Sequence, residues 1–283
     1  LGSRFMTGSI TNSDLDTVKD LESGESLRSV LSAYGLNGDI QSASLFNRKI
    51  KAFVELHGEQ GPVLDQSGKE IGIVQSIAGI AWIKVTVIGQ AGHSGTVPMG
   101  YRKDAGIAAY EMIIDMNTYV MEKYIHSATM TVGQLTLNPG SSNCIPGKAV
   151  FTVDFRSGNK EILQDLVETI YQEASVKEKD GYQISVCVLN RRDPVNMNQN
   201  IQSAIRESCE ELGYSYQYLN SGAGHDSMIF APFWPTAMIF LPNKDGISHN
   251  PKEYISWDEM KKGTEVLYHS LRHLDRLDDE PQN

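Results

Sequence analysis

The sequence predicts an α/β protein in which a small β-α-β-β-α-β module is inserted between two pieces of a larger α/β domain. Three observations carry that expectation. The stretch from Trp82 to Arg191 has its own rhythm of strand, helix, strand, strand, helix and strand signals. Two strand signals precede it, and beyond Pro194 the pattern changes to helices alternating with strands that read as buried. The length of 283 residues leaves room for about two domains at ~100–200 residues each.

From Asn12 to Asn47 the chain is polar and turn-rich, with one short amphipathic stretch from Ser26 to Tyr34. Leu1 to Phe5 carries no helix or strand signal of its own. Ala52 to His57 reads as a buried strand stopped by Gly58, Gly61 and Pro62, and Ile71 to Ile77 as a second strand. Inside the module, Val85 and Val87 alternate with polar positions, and Ala108, Met112, Ile113, Met116 and Val120 share one helical face. Met130 and Val132 open a strand broken by Pro139-Gly140; Phe151, Val153 and Phe155 then point one way and Thr152, Asp154 and Arg156 the other. Ile162, Leu163, Leu166, Val167 and Ile170 mark a second helix, and Ile184, Val186 and Val188 a fourth strand, which completes a ferredoxin-like order. Past Pro194, Ile201, Ile205 and Leu212 predict a helix closed by Gly213, while Tyr214 to Leu219 and Thr236 to Leu241 predict strands. Ser256-x-x-Glu259 is a capping box for a last helix with Met260, Leu267, Leu271 and Leu274 inward, and the charged tail from Asp275 to Asn283 is expected to fray.

The formal net charge of −10 gives no footprint for a polyanion, which weighs against nucleic acid and against an anionic membrane surface. No apolar run approaches the ~20 residues that span a bilayer. Cys144, Cys187 and Cys209 are far apart and odd in number, neither a disulfide framework nor a zinc knuckle, which fits a cytoplasmic setting.

Chemistry concentrates in five glycine-punctuated clusters: Glu55 to Pro62, Gly92 to Met99, Ser142 to Gly147, Ser221 to Asp226 and Gly246 to Pro251. They hold His57, His93, His225 and His249, four of the seven histidines. Glycine lets backbone approach a ligand, and a histidine beside such a turn can offer a ring nitrogen to a metal or a proton to a substrate. Each histidine taken singly also reads as a hydrogen-bonded structural residue, and any metal site has to be assembled from distant segments. His126, His269 and His273 lie outside these clusters and read as solvated or packed. Arg156, at the end of a strand and on its polar face, is either a clamp for a planar carboxylate or a surface ion pair with Asp154. Asn143 offers amide groups or simply forms a turn.

Taken in order, these clusters resemble the M20 metallopeptidase superfamily, and within it the hydantoinase/carbamoylase branch of N-carbamoyl-L-amino-acid hydrolases and allantoate amidohydrolases. The resemblance runs from about Phe53 to Leu274. It implies a partial zinc-peptidase-like catalytic domain in two pieces, residues 1–80 and 195–283, with an inserted ferredoxin-like lid and dimerisation domain over 81–194. It also implies two divalent metal ions, zinc or manganese, with His57 a ligand of one and His249 of the other. His93 resembles the lid histidine that reaches a partner subunit's site and polarises the scissile carbonyl. Asn143 and Arg156 resemble the lid residues that bind the substrate carboxylate, Gln60 a substrate-pocket residue, and Gly224 and His225 pocket walls.

The family's pattern further includes an N-terminal histidine, a bridging aspartate and a glutamate pair that precede the segment at which this chain starts. The expectation is therefore a C-terminal two-thirds of such an enzyme, inactive by itself. The expected activity of the parent is hydrolysis of a ureido C–N bond on a small carboxylate, in a homodimer. The rival expectations are a non-hydrolytic dimeric ligand-binding member of the family and, further off, a dipeptidase.

Overall fold

The computed structural model describes residues 1–276 except residues 21 and 37, so part of the expected frayed tail, 277–283, lies outside the described residues. The chain forms two compact units, one built from Leu1–Gln75 with the segment from Asn196 onward, the other from Ser76–Val195.

In the first unit, the short helices α1 (Gly2–Met6), α2 (Asn12–Thr17), α3 (Leu27–Ala33) and α4 (Ile40–Ala43) lead to strand β1 (Phe53–Gly58), helix α5 (Val63–Ser67) and strand β2 (Ile71–Ile77). The start, which carries no helix signal of its own in the sequence, folds into α1, whose turn is held by backbone bonds such as Thr7 N–H to the Ser3 carbonyl at 3.0 Å. Hydrophobic periodicity cannot reveal a helix this short.

The second unit holds β3 (Gly79–Ile88), the two-residue β4 (Gly92–His93), α6 (Ala105–Lys123), β5 (Ala128–Asn138), the two-residue β6 (Cys144–Ile145), β7 (Lys148–Ser157), α7 (Lys160–Lys179) and β8 (Gln183–Arg192). Its antiparallel sheet runs β5-β7-β3-β8, the ferredoxin-like order that the element sequence predicts. Alternation decides which face is dry. Ala81, Ile83, Val85 and Val87 of β3 and Ala149, Phe151, Val153 and Phe155 of β7 are buried against Met112 and Met116 of α6 and Leu163, Leu166 and Ile170 of α7. The intervening residues Trp82, Thr152, Asp154 and Arg156 form the open face.

After the short β9 (Val195–Asn196), the first unit resumes with α8 (Gln199–Leu212), β10 (Tyr216–Ser221), α9 (Ser227–Phe230), β11 (Thr236–Leu241) and α10 (Trp257–Arg276). Gly213, at φ +72°, ends α8 in the left-handed conformation predicted for it. The sheet order is β1-β11-β2-β10, with β1 and β11 parallel and β2 antiparallel to β11. Every residue of β11 is buried, as expected of a strand covered on both faces.

The capping box at the start of α10 is present: Ser256 N–H donates to Glu259 at 2.6 Å and Glu259 N–H to Ser256 Oγ at 3.2 Å. The inward face of that helix matches the prediction at Leu274 and departs from it at Leu271. Gly263, Val266, Ser270 and Leu274 are buried, whereas Leu271 is 46% exposed. The reason is close approach: a Cβ on Gly263 would lie 2.6 Å from Leu241 Cδ2, so the helix seats its glycine against β11 and turns Leu271 outward. Among the described residues, no helix is long and apolar enough to cross a membrane.

Candidate metal centre

Parallel pairing of β1 and β11, with His57 opposite Phe240, brings the carboxyl ends of both strands to one edge of the first unit. That is where open α/β sheets bind ligands. Glu55 and His57, two residues apart on β1, project from the same face of the strand. The loop after β10 delivers His225, whose ring meets that of His57 edge-on at a centroid distance of 4.7 Å. Glu55, His57 and His225 each offer one ligand atom, and these atoms all lie within 4.8 Å of one another.

The neighbours fix how each group faces the site. His57 Nδ1 lies 2.9 Å from the Gly58 carbonyl oxygen, which can only accept, so Nδ1 carries the proton and Nε2 keeps its lone pair. Oε2 of Glu55 accepts from Ser227 N–H at 2.9 Å and Ser227 Oγ–H at 2.6 Å, which anchors the carboxylate. His225 Nε2 lies 2.7 Å from Ser221 Oγ. Burial, and then the neighbouring His57, hold the His225 imidazole below its ordinary pKa against the opposing pull of Glu55 and Asp226. Two imidazoles and one carboxylate oxygen suit a divalent transition metal, and three protein ligands leave positions open for water or substrate. The donor set fits a metal.

Gln60 and His249 stand on the adjoining loops, one after β1 and one after β11. Both take left-handed backbone, at φ +59° and +54°, as does Asp245 at +58°. The two loops are tied by Asn243, which is fully buried and accepts the Gln60 backbone N–H at 2.9 Å, and by Gln60 Nε2 donating to Ser248 Oγ at 3.1 Å. Only glycine fits at position 58, because a Cβ there would stand 2.6 Å from Asn243 Oδ1. His249 is exposed, with its N–H donating to Glu253 at 2.9 Å, and it is outside the group formed by Glu55, His57 and His225. Gly224 is exposed beside His225.

The sequence reading gives His57 as a metal ligand and His225 as a pocket wall, and names Glu55 at the head of the first cluster without a ligand role. The signal for Glu55 was its two-residue spacing from His57 on one strand face.

The remaining candidates belong to the second unit. Strands β4 and β6 pair His93 with Cys144, and Ser94 N–H donates to the Asn143 backbone carbonyl at 3.0 Å, so His93 and Asn143 share one ribbon. His93 Nδ1 accepts the Gly95 N–H at 3.0 Å, so the neutral ring carries its proton on Nε2. Asn143 Oδ1 accepts from Ser141 at 2.7 Å, which leaves its NH2 as the donor end. Arg156 lies on the open face of the sheet and donates to Asp154 through Nε at 3.2 Å and Nη2 at 2.9 Å.

The family described as peptidase family M20/M25/M40 matches residues 6–273. The chain belongs to this family. It is 38% identical over 278 residues to an N-carbamoyl-L-amino-acid amidohydrolase of Paenarthrobacter aurescens, covering 98% of this chain and 67% of that protein. It is 34% identical over 275 residues to the allantoate amidohydrolase of Escherichia coli, covering 96% and 66% respectively. A crystal structure of an amidase of the hydantoinase/carbamoylase family from Burkholderia multivorans superposes with a TM-score of 0.88 at 32% identity, over 96% of this chain and 66% of that one. The chain thus spans about two thirds of the length of these family members.

Proposed function

We propose that the protein acts as a metal-dependent amidohydrolase that cleaves the ureido C–N bond of a small carboxylate, an N-carbamoyl-L-amino acid or allantoate, releasing ammonia and carbon dioxide. The observation that carries this reading is the convergence of Glu55, His57 and His225 at the strand ends, with the tautomer of His57 set by the Gly58 carbonyl. The activities named for the Paenarthrobacter and Escherichia relatives support the substrate class.

A urea-type carbonyl is a poor electrophile, so attack needs a strong nucleophile and stabilisation of the developing oxyanion. Bound zinc or manganese supplies water ionised near neutral pH and a Lewis acid. In this chain, His57 Nε2, the Glu55 carboxylate and His225 would hold one such ion, and His249 is assigned to a second. Arg156 and the Asn143 amide bind the substrate carboxylate, Arg156 with its guanidinium plane held by Asp154. His93 donates its Nε2 proton to the scissile carbonyl oxygen as negative charge develops there. Gln60, with Gly224 beside His225, forms the wall of the pocket.

A homodimer through the second unit is part of the proposal. Helix α6 leaves Ile107, Tyr110, Ile114 and Met121 exposed at spacings that fall on one stripe, which a second copy would cover. The scattered cysteines support a cytoplasmic setting.

The test is ammonia release from N-carbamoyl-L-amino acids and from allantoate, with zinc or manganese supplied, by this chain joined to the N-terminal segment of a family relative and by this chain alone, activity being expected in the joined protein. Activity should vanish with a chelator and fall at least ~100-fold in Arg156→Ala. Stoichiometric binding of ureido carboxylates with no turnover of either substrate would identify a non-hydrolytic binding member of the family instead.

A further inference from the structure

We infer that the open face of the second unit's sheet carries a side-chain pocket beside Arg156, built by Trp82 and Leu189, and that it selects ureido carboxylates bearing a large apolar side chain. The inference rests on the carboxylate role proposed for Arg156.

The strand register puts the parts in place. Asp154 of β7 lies opposite Trp82 of β3 and Thr131 of β5, while Arg156 lies opposite Ile80 and Thr129. Trp82 and Arg156 are therefore diagonal neighbours on one face, within reach of long and aromatic side chains.

A hollow of about 420 Å³ opens at this spot, lined by Trp82, Leu189, Thr131, Gln134, Thr152 and Asp154. Its size is that of a small-ligand site. The hollow exists because the pairing of β5 with β7 is irregular between Thr131 and Gln134, and the bulge carries Gly133, around whose Cβ position there is open space.

Chemistry then chooses the ligand. Trp82 is 42% exposed and Leu189 is 53% exposed, two large apolar groups left in water on a face otherwise rich in threonine and charge. An aromatic or branched aliphatic side chain gains by covering them. A second ureido group in the same place would lose hydration against those two walls. Asp154 does not make the hollow a cation site, because its carboxylate is already engaged by the Arg156 guanidinium at 2.9 Å.

The test is titration of the purified protein with N-carbamoyl-L-phenylalanine and with N-carbamoylglycine, followed by calorimetry and tryptophan emission. The phenylalanine derivative should bind on the order of tenfold tighter. Trp82→Ala and Leu189→Ser should each cut that ratio to about threefold or less while leaving the glycine derivative unaffected, and Trp82→Phe should retain it. Arg156→Ala should weaken both ligands equally. An unchanged ratio in Trp82→Ala, with Arg156→Ala still weakening both ligands, overturns the pocket and leaves the carboxylate assignment standing. No effect of Arg156→Ala on either ligand overturns both.

Discussion

The side-chain carbonyl of Asn243 accepts the backbone N–H of Gln60 at 2.9 Å, joining the loop after β1 to the loop after β11 across 183 positions of sequence. Asn243 has no exposed surface, so this amide replaces water for a backbone donor that has left-handed geometry. Asn243→Ala strands that donor and should cost about 1–3 kcal/mol of stability. Urea denaturation checks it, and a loss within ~0.5 kcal/mol of zero would mean that the loops are held by other contacts.

The metal centre makes a graded prediction. His57→Ala removes a ligand and should abolish tight stoichiometric zinc binding in calorimetric titration. Ser227→Ala removes only the hydroxyl that fixes Glu55 at 2.6 Å, and should weaken affinity about 10–100-fold. Wild-type zinc affinity in Ser227→Ala would show that Glu55 needs no anchoring.

Glu70 gives a prediction in pH. The Ser215 backbone N–H, at 2.8 Å, is the main reason its carboxyl sits below the ordinary range, with burial opposing and Lys262 at 3.1 Å assisting. Because the folded value is depressed, the stabilisation is fully present above the unfolded carboxylate pKa and is lost as pH falls through the folded one. Glu70→Gln should therefore lower the thermal midpoint at about pH 7 and make little difference near about pH 3. Melting curves across that range decide it; a constant difference would mean that the charge of Glu70 plays no part.

The apolar stripe on α6 predicts assembly. Ile114, 62% exposed, sits in its middle, and Ile114→Glu should convert a dimer to a monomer in light scattering without altering the far-ultraviolet spectrum. A wild-type protein that is already monomeric at micromolar concentration would remove the stripe's assigned role.

Where alternation and punctuation were both strong, the sequence carried the fold. Ile71 to Ile77 and Thr236 to Leu241 are strands with the same ends as predicted, and the ferredoxin-like strand order followed from counting elements. Leu271 faces outward because the inward face of α10 is set by the close seat of Gly263, a contact that periodicity does not encode. The site was legible only in parts. Glycines and a proline marked the loop after His57, and Gly222 and Gly224 marked that of His225. Their meeting depends on the path taken by the loop after β10, and the sequence alone does not show that Glu55, at the head of the first cluster, faces the same point.

The left-handed backbone at Gln60 and His249 has one more consequence. Each position presents an amide or an imidazole where glycine would sit without strain, at a cost on the order of 1 kcal/mol. Selection for robustness alone would erase both side chains. Thermostabilised descendants of this chain should thus lose competence first at these two points, where endurance and chemistry pull in opposite directions.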